Sequence, residues 1–310
     1  MSMCTATIHA PWPSACMQRT LMFRSGLAIL LLATAMGTAG CSDREQSPVA
    51  RSAPPATDTP ASTDQASMKD APDAGALADK VIARYSSAKS YRDRGTGSVK
   101  VSSAPTAAAR LLEFHTAFRR DGGMLWSFSS SPVPGKAPEK PYVVWSEDLK
   151  SWNSWWALDG AIKSGRDAGL AFGAPVGVSS SLSTITPALL GINGTGKDYF
   201  GFRFSGMRIV GTEVIGGVAC EILEGRTVQF GDVNTLWIDG TGAIRRYRSC
   251  TVIDPSTIEP SKQLSAEEAA RMRARPKFET VTEFIFEPVF DGEVSDKDTE
   301  FTPPAAEKRP

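Results

Sequence analysis

A glycine-rich stretch at residues 191–198 is the first place where this sequence could carry out chemistry. Its glycine and lysine spacing is that of a phosphate-binding loop. However, Asp198 stands where such a loop has the Ser or Thr that holds magnesium, and its carboxylate would repel phosphate. The preceding run favours a helix and residues 199–202 favour a strand, which reverses the order that the loop requires. The stretch therefore predicts a glycine turn and argues against a nucleotide site.

Histidines and carboxylates give little support for a metal or catalytic site. The chain has two histidines, His9 and His115, and neither is part of a His or Cys ligand motif. Residues 177–181 lack the second glycine of a serine-hydrolase elbow. The neighbouring Glu267 and Glu268 fall on a charged, solvated helix. We expect no metal, no cofactor and no catalytic residue, although a glycosidase-like pair of carboxylates stays open as the enzyme alternative.

Cys41 carries the most specific chemical prediction. An apolar run at residues 25–36 is too short to cross a membrane and suits a signal-peptide core. The small residues 38–40 directly before Cys41 resemble the lipobox of bacterial lipoproteins, whose cysteine becomes acylated, although threonine stands where leucine is usual. Ser42 resembles the outer-membrane sorting choice. The sequence predicts a lipoprotein signal peptide over 1–41 and a lipid anchor that faces the periplasm, with a plain secretory signal as the alternative.

Composition divides the rest of the chain into a tether, one domain and a tail. Residues 42–72 have no aromatic side chain and are rich in Ala, Pro, Ser, Thr and Asp, which predicts a disordered tether. Residues 73–304 are long enough for one large domain, and 305–310 form a tail. The 34 basic and 34 acidic residues balance, so no basic face indicates nucleic acid as a partner.

The strongest structural signal lies at residues 206–250, which read as an antiparallel meander. The pair 216–217 is Gly-Gly and offers the positive φ of a two-residue hairpin turn. Residues 239–242 form a second turn. If Asp239 faces Ala243, the cross-strand pairs are Ile238 with Ile244 and Trp237 with Arg245.

Three short runs in this meander resemble the LolA/LolB-like superfamily of periplasmic lipoprotein-sorting proteins. They are residues 217–223 (GVACEIL), 236–239 (LWID) and 244–246 (IRR). The resemblance extends more loosely over 75–304, including Phe-Thr-Pro-Pro at 301–304. It implies a mainly β fold, a strongly curved antiparallel sheet or unclosed β-barrel with a helical lid. It also implies an apolar cavity for lipid.

The meander also bears on the two cysteines of the domain. An oxidising compartment would ordinarily favour a disulfide between Cys220 and Cys250. The predicted register places Cys220 near Asp239 and Cys250 near Asp232, roughly 20 Å apart at about 3.3 Å per residue. A disulfide needs Cα atoms within about 7 Å, so we predict that both thiols are free.

Alternation of apolar residues predicts the other strands. They are 97–103, 110–119, a strand with Met124, Trp126 and Phe128 on one face, 142–145, 152–158 and 277–287. Five of the seven tryptophans lie between positions 126 and 156, and most of them are expected to fill the core. Trp155 and Trp156 cannot both face inward in a regular strand.

Helices are predicted at three places. A helix from Asp73 carries Leu77, Val81, Ile82 and Tyr85 on one face. A short helix at 182–190 contains Pro187. Ser265 and Glu268 form a capping box for a third. The Gly-rich residues 160–181 fit neither pattern, and Leu170, Phe172 and Val176 could form a mobile lid or a membrane-touching loop, or an ordinary connection.

These predictions lead to a membrane-anchored envelope lipoprotein that binds or transfers a lipid or an acylated protein. We expect Phe114, Phe118, Trp126, Phe128 and Trp145 to line its apolar cavity. The alternative is an envelope protein-interaction or sensor module without lipid cargo, which would show an exposed apolar patch instead of a cavity.

Overall fold

A computed structural model describes residues 72–102, 110–131, 141–192, 199–200, 204–228, 231–258 and 264–304. These residues belong to one unit, Thr57–Pro310. The predicted signal peptide with Cys41, the tether up to residue 71, residues 193–198 and the tail 305–310 lie outside the described residues. In the described part, no helix is long and apolar enough to span a membrane.

Twelve β-strands make up most of the described chain. They are β1 Ser90–Val101, β2 Arg110–Arg119, β3 Met124–Ser131, β4 Tyr142–Ser146, β5 Trp152–Trp156, β6 Ile162–Gly165, β7 Phe204–Ile215, β8 Val218–Thr227, β9 Val233–Asp239, β10 Ile244–Ile253, β11 Phe278–Phe286 and β12 Val289–Phe290. All pair antiparallel in one sheet of order β6-β5-β4-β3-β2-β1-β11-β10-β9-β8-β7, and β12 pairs with β1. The sheet is open, because β6 and β7 are its edges. The mainly β, unclosed architecture is confirmed, but it is not a barrel.

Six α-helices accompany the sheet among the described residues. They are α1 Pro72–Ser87, α2 Ala168–Gly173, α3 Val176–Ser179, α4 Leu182–Leu189, α5 Ala266–Arg273 and α6 Asp296–Thr299, with a 3₁₀ turn at Pro255–Thr257. α1 buries Leu77, Val81 and Tyr85, as its apolar spacing predicted. The capping box of Ser265 and Glu268 is present at the start of α5.

The meander forms largely with the predicted register. Ile238 pairs with Ile244. A β-bulge between Ile244 and Arg246 then shifts the pairing by one residue, so Trp237 lies opposite Arg246 and the predicted pairing with Arg245 is wrong. The change places Arg246 4.4 Å from the centre of the Trp237 ring, a cation–π contact on the face of the sheet away from the helices.

The same register separates the two cysteines. Cys220 pairs with Asp239 and Cys250 with Val233, at opposite ends of β9. The bulge moves Cys250 by one residue from the predicted Asp232. Six residue steps along β9 correspond to roughly 20 Å, and both thiols are free.

Two glycines of β1 make room for the aromatic core. A Cβ on Gly95 would stand 2.1 Å from Phe114 Cζ, and one on Gly97 would stand 2.4 Å from Phe284 Cδ1. Such distances are far inside van der Waals contact, so these rings pack where side chains would otherwise be. The face of the sheet that carries them is the inner face, which α1 to α4 cover.

Three predictions for individual elements were wrong. β1 begins at Ser90 instead of residue 97, because the buried Tyr91 and Asp93 alternate with the more exposed Arg92 and Arg94. Residues 160–181 are not irregular, since they contain β6, α2 and α3. The pair Tyr199–Phe200 is helical instead of extended.

Candidate functional site

A layer of aromatic side chains lies on the inner face of β2 and β3. Trp126 and Phe118 are fully buried, and Phe114 and Phe128 are 5% exposed. The ring centres of Trp126 and Phe128 are 5.4 Å apart. Alternation along each strand explains the grouping, because residues two apart point to the same face. Four of the five predicted lining residues therefore lie together.

Trp145 does not join them. It lies in a second cluster on the opposite face, with its ring 5.0 Å from Phe301, because β4 directs Tyr142 and Val144 inward and Val143 and Trp145 outward. A segment near the C-terminus covers this cluster. Trp145 therefore cannot line a space shared with Phe114 and Trp126.

Residues 168–189, which we call the lid, cover part of the aromatic layer. The lid consists of α2, α3 and α4, which have six, four and eight residues. Helices this short are not stable on their own. Ser180 and Ser181 between α3 and α4 both have left-handed backbone conformations, which non-glycine residues rarely adopt. The lid therefore depends on its packing against the rest of the domain.

Phe172 is the main contact between α2 and the sheet. Its side chain is buried, with its ring centre 5.4 Å from Trp152 and 6.0 Å from Trp126. The hydroxyl of Tyr142 on β4 donates a hydrogen bond to the carbonyl oxygen of Ala171 at 3.1 Å. The other two residues predicted to form a lid or membrane loop are less buried than Phe172. Leu170 is 53% exposed and Val176 is half-buried.

The far end of the lid is held by Arg120 in the turn between β2 and β3. Its guanidinium donates to the carbonyl oxygens of Ala88 at 2.8 Å and Tyr85 at 3.1 Å, and it reaches Leu190 at 3.4 Å. These carbonyls lie at the ends of α1 and α4, where helices leave acceptors without partners. The end of α4 is thus tied to the sheet by charge-assisted hydrogen bonds, whereas α2 is held by the burial of Phe172 and Ala168 and by the hydroxyl of Tyr142.

A polar row crosses the same inner face beside the aromatic layer. Asp93 on β1 pairs with Thr116 on β2, and Thr116 pairs with Trp126 on β3. Asp93 is 2% exposed, and its Oδ2 accepts a hydrogen bond from the Tyr91 hydroxyl at 2.6 Å. Burial raises the pKa of Asp93 to about 6, although the hydrogen bond from Tyr91 lowers it and Thr116 lies near enough to lower it further.

Two atoms of this row lack hydrogen-bond partners. Asp93 Oδ1 and Thr116 Oγ1 are buried, and within the described ranges no group stands in hydrogen-bond geometry to either. An unpaired buried oxygen costs free energy, so such groups call for a functional or structural explanation. The sequence did not predict this row, because the first predicted strand begins at residue 97, beyond Asp93.

Comparisons with known proteins fit this geometry. No family model and no curated protein matches the chain. Among solved structures, a LolA superfamily protein from Nitrosomonas europaea has 9% identity and a TM-score of 0.29, covering 74% of this chain and 97% of that one. The open antiparallel sheet, with helices on its inner face, is the architecture that the sequence resemblance implied.

Two further solved structures are similar at the same level. The lipoprotein LppX from Mycobacterium tuberculosis has 13% identity and a TM-score of 0.36, over 72% of this chain and 98% of that one. LprF from Mycobacterium bovis has 11% identity and a TM-score of 0.36, over 73% and 97%. Identities this low concern the fold alone, and TM-scores below 0.5 give no support to a ligand or partner.

The outer face of the sheet holds an open polar groove of about 370 Å³. Arg94 on β1 and Glu113 and His115 on β2 line it, with Arg94 directly opposite His115. Glu287, directly after β11, also lines it. Burial and the positive charge of Arg94 lower the pKa of His115. In the part of the chain that the structure describes, no group of three or more His, Cys, Asp or Glu side chains could hold a metal ion.

Proposed function

We propose that this protein is an envelope lipoprotein whose domain binds an acyl chain between the lid and the inner aromatic layer. The observation that carries the proposal is the way Phe172 closes α2 over Trp126 and Trp152. Phe172 is the only large buried side chain of this six-residue helix, and the small Ala168 is the other buried one. Movement of α2 would open that surface to a ligand.

The energy balance favours an acyl chain over the closed lid. Full burial of a phenylalanine side chain is worth about 1.5–3 kcal/mol, and each buried methylene is worth about 0.8 kcal/mol. Two to four methylenes therefore replace the contribution of Phe172. Longer chains gain a surplus, which offsets the ordering of the ligand and the movement of α2.

The acyl chain belongs either to a free lipid or to an acylated protein. The proposal also includes acylation of Cys41, attachment to the outer membrane on its periplasmic side, and a tether over residues 42–72 that holds the domain near lipid. It involves binding or transfer and no catalytic step. Lipoprotein LppX and the LolA superfamily protein are similar in fold, and the present proposal depends on the lid and the aromatic layer of this chain.

Removal of the Tyr142 hydroxyl tests the role of the lid. We expect Tyr142→Phe to speed uptake of a fluorescent 12-carbon acyl probe about 2- to 10-fold, because a hydrogen bond worth about 0.5–1.5 kcal/mol no longer holds α2. Tyr247→Phe is the matched control. Its hydroxyl bonds Asn234 between β9 and β10, so uptake should be unchanged. Stopped-flow fluorescence measures both rates, and no uptake by the wild-type protein would refute the proposal.

Acylation of Cys41 predicts a specific mass. The mature protein purified from a membrane fraction should begin at Cys41 and carry fatty acyl groups, and Cys41→Ser should release it from the membrane. Intact-mass spectrometry of the N-terminal peptide measures this directly. An unmodified N-terminus at another residue would instead support the plain secretory signal.

A protein-interaction role is the second candidate, and edge strand β7 favours it. Val210 and Val214 on β7 are 46% and 65% exposed. An exposed edge can pair with a strand of another protein. Two register irregularities within β7, between Ser205 and Arg208 and between Ile209 and Gly211, interrupt its ladder with β8, so regular pairing would be confined to its end.

A further inference from the structure

We propose that Asp93, with Thr116 beside it, is the polar anchor of the acyl site and selects ligands whose head group donates a hydrogen bond. Such head groups are amides and hydroxyls, and the excluded class is free fatty acids. This inference rests on the proposed acyl-binding function and names its substrate class.

Position supports the assignment. Thr116 is the cross-strand neighbour of both Asp93 and Trp126, so the three side chains form one row on the inner face. Strands are about 4.8 Å apart, which places Asp93 roughly 10 Å from Trp126 across β2. A ligand whose tail reaches Trp126 beneath Phe172 can therefore bring its head group to Asp93.

The free lone pairs of Asp93 determine the chemistry of that head group. Oδ2 is occupied by the Tyr91 hydroxyl at 2.6 Å. Within the described residues, neither Oδ1 nor Thr116 Oγ1 has a hydrogen-bond partner of good geometry, although Thr116 lies close enough to Asp93 to lower the pKa of its carboxyl. An ionised carboxylate accepts hydrogen bonds and donates none, whereas a threonine hydroxyl does both. The pair thus offers two acceptors and one donor, which complements an amide or a hydroxyl.

The same charge excludes a fatty acid. The other titratable groups against Asp93 are Tyr91 on β1 and Tyr85 on α1, and burial raises the pKa of both hydroxyls, so they remain neutral. Among the described residues, no positively charged group contributes to the pKa of Asp93. A second carboxylate placed beside it in a dry interior would be strongly repelled.

Three ligands with the same 12-carbon tail test the selection at pH 8. We expect dodecanamide and dodecanol to bind the full-length wild-type protein at least 10-fold more tightly than dodecanoate. Asp93→Asn should raise the affinity for dodecanoate at least 10-fold and change that for dodecanol less than threefold. Glu113→Gln, which removes an exposed carboxylate from the outer groove, is the control and should leave the order unchanged. Asp93→Ser replaces the Asn variant if that variant does not fold.

The outcomes separate the two proposals. Equal binding of all three ligands by both the wild-type protein and the Asp93 variant would overturn the anchor and leave acyl binding intact. Binding of none of them would overturn both. Isothermal titration calorimetry gives the affinities, and the retained far-ultraviolet circular dichroism of each variant shows that it is folded.

Discussion

Trp126→Ala is expected to lower the free energy of unfolding by about 3–5 kcal/mol. Trp126 is fully buried, and its ring contacts Phe128 on its own strand and Phe172 of the lid. Truncation removes the transfer free energy of the indole and leaves a cavity beneath α2, which close packing of the surroundings fills only in part. Urea denaturation followed by circular dichroism measures the loss.

Leu170→Ala is the matched control for this experiment. Leu170 lies in the same lid but is 53% exposed, so its truncation should change stability by less than about 0.5 kcal/mol. Indole added to Trp126→Ala should restore part of the melting temperature, because dry apolar cavities bind aromatic molecules of matching size. A loss below 1 kcal/mol, with no response to indole, would mean that Trp126 is not in the core.

Local alternation was sufficient to place most of the core. β2 runs over the predicted residues 110–119, and the four aromatic residues assigned to one face of β2 and β3 do share that face. Both results follow from the period of two in a strand, which a single sequence displays directly. The fold class is predictable for the same reason, because the meander and its turns need no long-range information.

The pairing register of the strands and the sheet face on which a side chain lies were less predictable from the sequence. Trp145 was assigned inward because it is aromatic, yet the alternation from Tyr142 directs it outward. Phe301, an aromatic residue near the C-terminus, covers Trp145 on that face. A local sequence pattern cannot predict a contact between residues 156 positions apart. The bulge after Ile244 is likewise set by the sheet as a whole, and it moved the partners of Trp237 and Cys250 by one residue.

The polar row was not predicted, because the charged residues Arg92, Asp93 and Arg94 lie in the first part of β1. The first predicted strand begins only at residue 97, since Arg92 and Arg94 interrupt the apolar alternation before it. The alternation is present once Asp93 is allowed to face inward with Tyr91 and Gly95. Buried carboxylates are rare, so reasoning from hydrophobicity assigns them to the surface. Functional sites are the places where that rule most often fails.

The stability of the domain is expected to fall as the pH rises from about 4 to about 6, by roughly 3 kcal/mol from Asp93 alone. Burial raises the pKa of Asp93 in the folded protein to about 6, from 3.8 for an unperturbed aspartate. The folded state therefore binds this proton more tightly than the unfolded state does. The benefit is complete below pH 3.8 and is lost once the pH exceeds the folded pKa.

Other carboxylates make the stability of the domain fall as the pH decreases, which is opposite to the effect of Asp93. Hydrogen bonds lower the pKa of Asp291 through the Lys89 backbone and that of Asp148 through Ser151 and Lys150. Their stabilisation is present above pH 3.8 and is lost as the pH falls through their folded pKa values. His115, whose pKa is lowered, and Asp232, whose pKa burial raises, also contribute between pH 4 and pH 7.5, so the contribution of Asp93 is the difference between the wild-type protein and an Asp93 variant.

Asp93→Asn should remove this dependence. The variant should be more stable than the wild-type protein at pH 7, where burial of a charge is costly, and the difference should vanish near pH 4. Urea midpoints at half-unit pH intervals measure it. If the two proteins keep a constant difference from pH 4 to pH 7.5, folding does not raise the pKa of Asp93, and the carboxylate is ionised in both states. If the difference instead keeps growing up to pH 7.5, Asp93 stays protonated in the folded interior. The acyl site would then contain a neutral acid that donates a hydrogen bond, and the charge that excludes fatty acids would be absent.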